Sequence, residues 1–595
     1  MPFASPALAQ SPAENWQTRS TPHFRIHYPA AYEPWATRAA SRLEAVHAAV
    51  SKEIGFTPPQ AIDVVVRNPV AEPNGIAWPF LDTPRIELYV EAPEADEQIG
   101  SYSHWIDLLT VHEVAHVVHM LRPSRNPMRR ALERFVLPLN AITTGAPRWV
   151  LEGYATVVEG RLTGAGRPTS TMRAAILRKW AASGRLPSYG QLDSDQRFLG
   201  MSMAYLAGSA FLEWLEARSG AGSLQKVWAR MTARQRRSFD SAFAGVFGES
   251  PERLYGQFTA ELTEAAVTIA RSPAFREGDL WQETSHATGD PAVSPDGSRL
   301  ALVVRARNKP PRLAILETGE PVEEEKEYRE RIEKILGRDP QDVAPVRGKP
   351  LPREPKHTLV LPDGGDLESP RWTHDGKSLL YSHRQPDPDG FLHWDLFRWT
   401  PESGENVRLT HLADVRDADP YPDDRTAVAL RSRYGLTQLV RVDLASGAVT
   451  PMNEPSIDVV YSHPRLSRDG RLAHLEHRDG AWRLMMDGKE VVRDAASPEW
   501  GPDGTLYATI STRGFAEIHR IGSGGEGSES VAITRSVGGA IDPAASADRV
   551  FFMSLEPDGF VVRTIAANSE PLPPPTAFDR PLVPALPPPA PAAAP

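Results

Sequence analysis

The sequence predicts a multidomain chain: an α+β domain over residues 15–273, then an all-β propeller, six-bladed, over residues 274–570. Three observations carry this reading. At 595 residues the chain is far longer than one hydrophobic core serves. Up to about residue 270, strand-like alternation gives way to helical periodicity. Beyond residue 275 the apolar runs are short, are separated by turn signals, and repeat.

In the first domain His23–Tyr28 alternates like a strand, Ala36–Glu53 has helical spacing, and Ile62–Val66 and Ile86–Val90 read as further strands. Ile106–Leu121 is helical. Pro147 precedes a second helix over Trp149–Glu159, and more helices fill Met172–Ala270, among them Ser202–Ser219, stopped by Gly220. Strands first and helices after is the α+β pattern.

In the second domain a turn recurs as Ser294-Pro295-Asp296-Gly297, Thr373-His374-Asp375-Gly376, Ser467-Arg468-Asp469-Gly470 and Gly501-Pro502-Asp503-Gly504. Weaker copies stand at Pro422-Asp423-Asp424 and Ser546-Ala547-Asp548. After a stretched first interval the copies follow at 48, 46, 34 and 45 residues, which suits one four-stranded blade each. Their Asp residues read as turn formers rather than metal ligands. The first interval is lengthened by an insertion at 319–355, whose charged helix Glu323–Leu336 reads as a solvated excursion.

Composition narrows the function. Net charge of −10 on a chain of this length argues against nucleic-acid binding, and no apolar run reaches the length of a membrane span. Cysteine is absent, so a metal would have to be held by His, Asp or Glu. Pro6-Ala7-Leu8-Ala9-Gln10 looks like the end of an export signal. Residues 1–14 are therefore expected to be a signal remnant or disordered, and the protein periplasmic or secreted. The Pro/Ala-rich tail at 571–595 is expected to be disordered.

The chemistry gathers at His112-Glu113-Val114-Ala115-His116. On a helix the two histidines stand at i and i+4, on one face, as two ligands of a tetrahedral zinc ion, with Glu113 beside the open position as general base. Glu152, 36 residues after His116 on the next helix, can supply the third ligand. His119 reads as a packing or supporting histidine, and a metzincin pattern fails because it needs Gly at 119 and His at 122, where this chain has His119 and Arg122.

This segment resembles the gluzincins, zinc peptidases of the thermolysin and aminopeptidase-N type. Trp149-Val150-Leu151-Glu152-Gly153-Tyr154-Ala155 with Glu159 is similar to their W-L-x-E-G-x-A-x-x-x-E, and Ala204–Ala210 resembles the Y-E-K-G segment whose tyrosine stabilises the oxyanion. Over residues 15–270 the resemblance implies a zincin-like fold, one zinc ion on His112, His116 and Glu152, Glu113 as general base, Tyr205 facing the oxyanion, and a peptide or protein substrate. Glu159 would orient the site from outside the ligand set.

The chain departs from the family twice. The long spacing between His116 and Glu152 holds Arg122, Arg125, Arg129, Arg130 and Arg134, which read as a solvated helix face or, more sharply, as a surface for an acidic substrate or a membrane. The G-x-M-E-N anchor for a free amine is missing; the strand before the zinc helix instead follows Asn74–Pro79, which leaves an edge strand for an extended peptide to pair with. Endopeptidase is thus expected over aminopeptidase. The repeats resemble the TolB-like propeller, which speaks for fold, with gating, substrate recruitment or a protein partner as possible roles. A non-enzymatic periplasmic propeller scaffold with a degenerate peptidase domain is the alternative, disfavoured by the intact His112, Glu113, His116 and Glu152.

Overall fold

Burial of Phe24, Ile26 and Tyr28 between more exposed neighbours makes Phe24–Pro29 a strand with one face inward. The computed structural model describes residues 14–79, 83–135, 140–272, 274–362, 364–386, 391–522 and 530–574; the expected signal remnant and nearly all of the expected tail lie outside them. The N-terminal domain begins with strands β1 (Trp16–Ser20) and β2 (Phe24–Pro29), helix α1 (Glu33–Ile54), and strands β3 (Ile62–Arg67), β4 (Asn74–Trp78) and β5 (Arg85–Tyr89). Their order in the sheet is β1-β2-β3-β5-β4. β2, β3 and β5 are parallel; β1 and β4 are antiparallel edges.

Two of these strands differ from the sequence reading. β1 is largely exposed and β4 lacks apolar alternation, so neither shows the period-two signal of a half-buried strand. β4 is not merely a lead-in to β5. It folds back and forms the outer edge of the sheet.

Helices α2 (Trp105–Met120), α3 (Pro127–Phe135), α4 (Ala141–Gly145), α5 (Arg148–Thr163), α6 (Thr171–Ala182) and α7 (Gly200–Ser219) follow, then α8 (Ser223–Met231), α9 (Phe239–Phe247) and α10 (Pro251–Ala270). α2 is the central helix: every residue but Asp107 is buried. α5 starts after Pro147 and ends at Gly164, whose φ of 69° supplies the left-handed cap. α5 and α7 cross at bare backbone, since a Cβ on Gly153 would stand 2.8 Å from the Gly208 carbonyl carbon. That close crossing brings residues of α5 and α7 to one side of α2.

The second domain is a six-bladed β-propeller of six four-stranded antiparallel sheets. In the last blade three strands from residues 540–566 take their fourth, Asp279–Gln282, from the start of the domain. Hydrogen bonds between the two ends of the domain therefore close the ring. In the first blade the excursion at 319–355 leaves after the third strand, and its helix α11 (Val322–Arg338) has no buried residue. The repeated Asp-Gly turns join the first and second strands of their blades. Ser294 donates to Asp296 (2.5 Å), Thr373 to Asp375 (2.7 Å) and Ser546 to Asp548 (2.8 Å), as turn formers do.

Each first strand also carries a bulge with one residue at positive φ: Asp290, Ser369, Asp417, His463, Ser497 and Asp542, all at 45–52°. Five of them, with Asp96 of the N-terminal domain, line a cavity of about 50 Å³. The loop after β5 docks there. Glu94 accepts from Arg416 (2.5 Å) and meets His463 (3.3 Å), while Ser432 donates to Glu91 (2.6 Å). Around it Trp35 bonds the Tyr434 carbonyl (2.8 Å), the Tyr102 and His477 rings stack at 4.1 Å, and Arg178 donates to the Val537 carbonyl (2.9 Å).

This junction has a pH signature. Burial, with the charges of Glu94 and Asp96, pushes the Glu97 carboxyl from 4.5 up to about 8. A carboxyl raised in the folded state contributes stability that is complete below 4.5 and is lost as pH rises through 8. Glu97→Gln mimics the neutral form. Its melting temperature relative to wild type is expected to rise by about 2 °C or more between pH 5.5 and 8.5. A difference constant across that range contradicts the assignment.

Candidate metal centre

α2 holds His112, Glu113 and His116 in the interior because the helix is apolar nearly all round. His112 Nε2 and His116 Nε2 stand 3.2 Å apart. From α5, Glu152 Oε2 comes to 3.1 Å of His116 Nε2 and 3.9 Å of His112 Nε2. Ligand atoms on a tetrahedral zinc ion at 2.0–2.2 Å stand about 3.3 Å apart, so the three atoms fit the corners of such a site.

Charged neighbours set the protonation of each donor. Burial opposes the Glu159 charge, but Arg167 and His112 hold its carboxyl below the ordinary range. Glu159 is fully buried, and Arg167 donates to it from its backbone N–H (3.0 Å) and guanidinium (3.2 Å). An ionised Glu159 can only accept, so His112 donates its Nδ1–H to it (2.8 Å) and turns the Nε2 lone pair toward Glu152. Nitrogen and carboxylate lone pairs this close need a positive charge among them. Without a metal the charge is a proton. Burial works against the His112 imidazolium, yet the neighbouring Glu152 and Glu159 carboxylates push it up to about 9. Burial likewise opposes Glu152, and His116 and His112 hold its carboxyl far below the usual range.

Glu113 is buried beside this triad, and burial pushes its carboxyl up. It lies against β4: a Cβ at Gly75 would collide with the Glu113 carboxylate and with Leu109. The edge strand can run past this carboxylate only with glycine at that place. From α7, the half-buried Tyr205 ring lies 6.1 Å from the His112 ring at 24°. Arg148 and Arg167 cover its face at 5.3 and 4.8 Å. Burial and the Glu152 charge push the Tyr205 hydroxyl up, so it stays protonated as a donor at neutral pH.

The structure thus gathers His112, Glu113, His116, Glu152 and Tyr205 at one place, with Glu159 behind them. His119 stands apart, packed 4.8 Å from Tyr154 and 4.4 Å from Trp228, where burial pushes its imidazole down to about 3. Gly75, Arg148 and Arg167 were not legible as site residues. Arg148 opens α5 and Arg167 follows it in sequence, but only the turn Gly164–Arg167 brings the second arginine back over Tyr205. Removing the His112 orienter should be costly. Glu159→Ala is expected to weaken metal affinity by about 10–100-fold, read by competition with a chromophoric chelator; an unchanged affinity would show that His112 needs no such support.

No family model matches the chain, and no curated protein sequence does. Among solved structures it is similar to TolB from Acinetobacter baumannii, at 14% identity over 48% of this chain and 55% of that one, with a TM-score of 0.26. It is also similar to the β-propeller domain of the trilobed protease from Pyrococcus furiosus (14% identity, 49% of this chain, 85% of that one, TM-score 0.25). A third is the Pyrococcus horikoshii acylaminoacyl peptidase (10% identity, 49% and 54%, TM-score 0.30). The chain spans about half the length of the first and third of these. The propeller itself is defined by the six sheets described above.

Proposed function

We propose that the N-terminal domain is a gluzincin-like zinc peptidase, and an endopeptidase in particular. The observation that carries this reading is the convergence of His112 Nε2, His116 Nε2 and Glu152 Oε2 within 3.9 Å of one another, next to the buried Glu113. These three residues would hold one zinc ion, which when bound supplies the Lewis acidity that activates water and polarises a carbonyl.

The chain's own residues do the rest. Glu113 lies in a buried site that raises its basicity, and it takes a proton from the attacking water and returns it to the leaving amine. The Tyr205 hydroxyl, kept protonated, donates to the carbonyl oxygen as it turns negative. β4 offers its outer edge to an extended peptide, which would pair with it as a further strand and run past Glu113 at Gly75. Asn74–Trp78 carries no carboxylate to capture a free amine, so a chain can continue in both directions. The propeller supports this wall: Arg384 donates to the Val70 carbonyl (2.8 Å) and pairs with Glu72, both in the connection that leads into β4. Gating or recruitment of substrate by the propeller fits that contact.

The test is cleavage of an unfolded protein such as reduced, alkylated casein by the full chain, with metal content measured alongside. The reading expects about one zinc per chain, internal fragments as products, and loss of cleavage with 1,10-phenanthroline that added zinc reverses. Cleavage by metal-free protein, or a zinc-loaded chain that cuts no peptide, would overturn it.

A further inference from the structure

Helix α3 is built inside out. Its buried side chain is the charged one: Glu133 is 2% exposed and accepts from the Ser124 backbone N–H (3.0 Å). Met128, Ala131 and Leu132 face water instead. Met128 is 76% exposed and Leu132 50%, and with the exposed Ala131 they form an i, i+3, i+4 stripe along one side of the helix. Water-exposed apolar stripes of this kind on a folded surface mark a place where something else is met.

The surroundings say what. α3 rests on the connection between α8 and α9, through Arg125 N–H to the Thr232 carbonyl (2.7 Å) and Asn126 to the Arg234 carbonyl (3.2 Å). Arg125, Arg129 and Arg130 of one segment thereby join Arg234, Arg236 and Arg237 of the other. Among the described residues none of these six guanidinium groups is in an ion pair. This concentration of positive charge stands out on a chain whose net charge is −10. Apolar side chains standing proud among arginines is the pattern of a helix that lies in a bilayer interface, its stripe among the acyl chains and its arginines on anionic headgroups. The helix is already fixed, by the Asn126 side chain accepting from the N–H groups of Met128 (3.1 Å) and Arg129 (3.2 Å) and by the Glu133 bond, so docking costs little further ordering.

We propose that α3 with its arginine rim is a docking surface for an anionic lipid bilayer, which would hold the domain against a membrane without spanning it. The test is flotation of the full chain with vesicles of phosphatidylcholine, alone or mixed with phosphatidylglycerol. Binding is expected to the mixed vesicles, to weaken with salt, and to fall by about tenfold or more in Arg129→Glu/Arg130→Glu and in Met128→Ser/Leu132→Ser. Arg329→Glu/Arg331→Glu on the exposed α11 makes the same charge change elsewhere and should bind as wild type does. In Met128→Trp, emission should shift to the blue on adding mixed vesicles. The substituted side chains are exposed except for the half-buried Arg129, and an unchanged melting temperature shows that each variant is folded. Failure of wild type to float with mixed vesicles, equal flotation of all variants, or binding to polyglutamate but not to vesicles, the mark of an acidic protein partner, would overturn the proposal.

Discussion

Glu113→Gln is expected to keep about one zinc per chain and to lose at least about 10³-fold in kcat for peptide cleavage. The amide matches the carboxylate in shape, so it still lies against Gly75, where a Cβ would have no room. What it loses is basicity. Glu113 is buried, its carboxyl is pushed up by that burial, and it is not among the three converging donors. The split result, metal kept and turnover lost, separates a proton carrier from a ligand. A variant that loses both its metal and its activity would mean that Glu113 belongs to the ligand set, and one that keeps its rate would remove it from the chemistry.

Glu152→Ala is expected to do the opposite and empty the site. It contributes one of three protein ligands, and zinc binding by structural sites in zinc-finger peptides, taken as the scale, amounts to about 10–16 kcal/mol. Loss of a third of that is some 3–5 kcal/mol, or about 10²–10⁴ in affinity. Thermal stability reads the same event. A ligand that binds only the folded chain stabilises it by about 4 kcal/mol at a thousand times its Kd, so zinc should raise the melting temperature of wild type and leave Glu152→Ala nearly unmoved. Equal shifts in the two proteins would place the metal elsewhere.

Much of the candidate site was legible because helices translate spacing into direction. The i, i+4 pair His112 and His116 had to face one way, and Pro147 announced the helix that carries Glu152. Glu159 was expected to orient the site through the resemblance alone, since its own spacing reads equally as one more helix charge. Its role depends on a distance of two helical turns along α5 and on the turn at Gly164 that returns Arg167 to it, neither of which shows in a periodicity. β4 escaped for a related reason: a strand that carries glycine so that a carboxylate can lie against it lacks the side chains that make strands recognisable. In the propeller, the repeated Asp-Gly turns revealed the blades. The closing strand Asp279–Gln282 precedes the first repeat and pairs with residues nearly the whole domain away, and no local signal encodes such a pairing.

The two halves of the molecule also explain each other. The loop after β5 that docks on the propeller leads directly into α2, so the helix bearing His112, Glu113 and His116 starts from a point fixed by Glu94, Arg416 and His463. The connection into β4 is held by Arg384 from a second blade. The helix that bears the site and the edge strand proposed to pair with substrate are thus both anchored to the propeller, which is a physical reason for the two domains to share one chain.

The proposed function requires one zinc ion among His112, His116 and Glu152. Crystals of the zinc-loaded protein, measured on both sides of the zinc absorption edge, test it most directly. One strong anomalous peak is expected about 2.0–2.2 Å from His112 Nε2, His116 Nε2 and a carboxylate oxygen of Glu152. A peak on other residues, or none at these three, would contradict it.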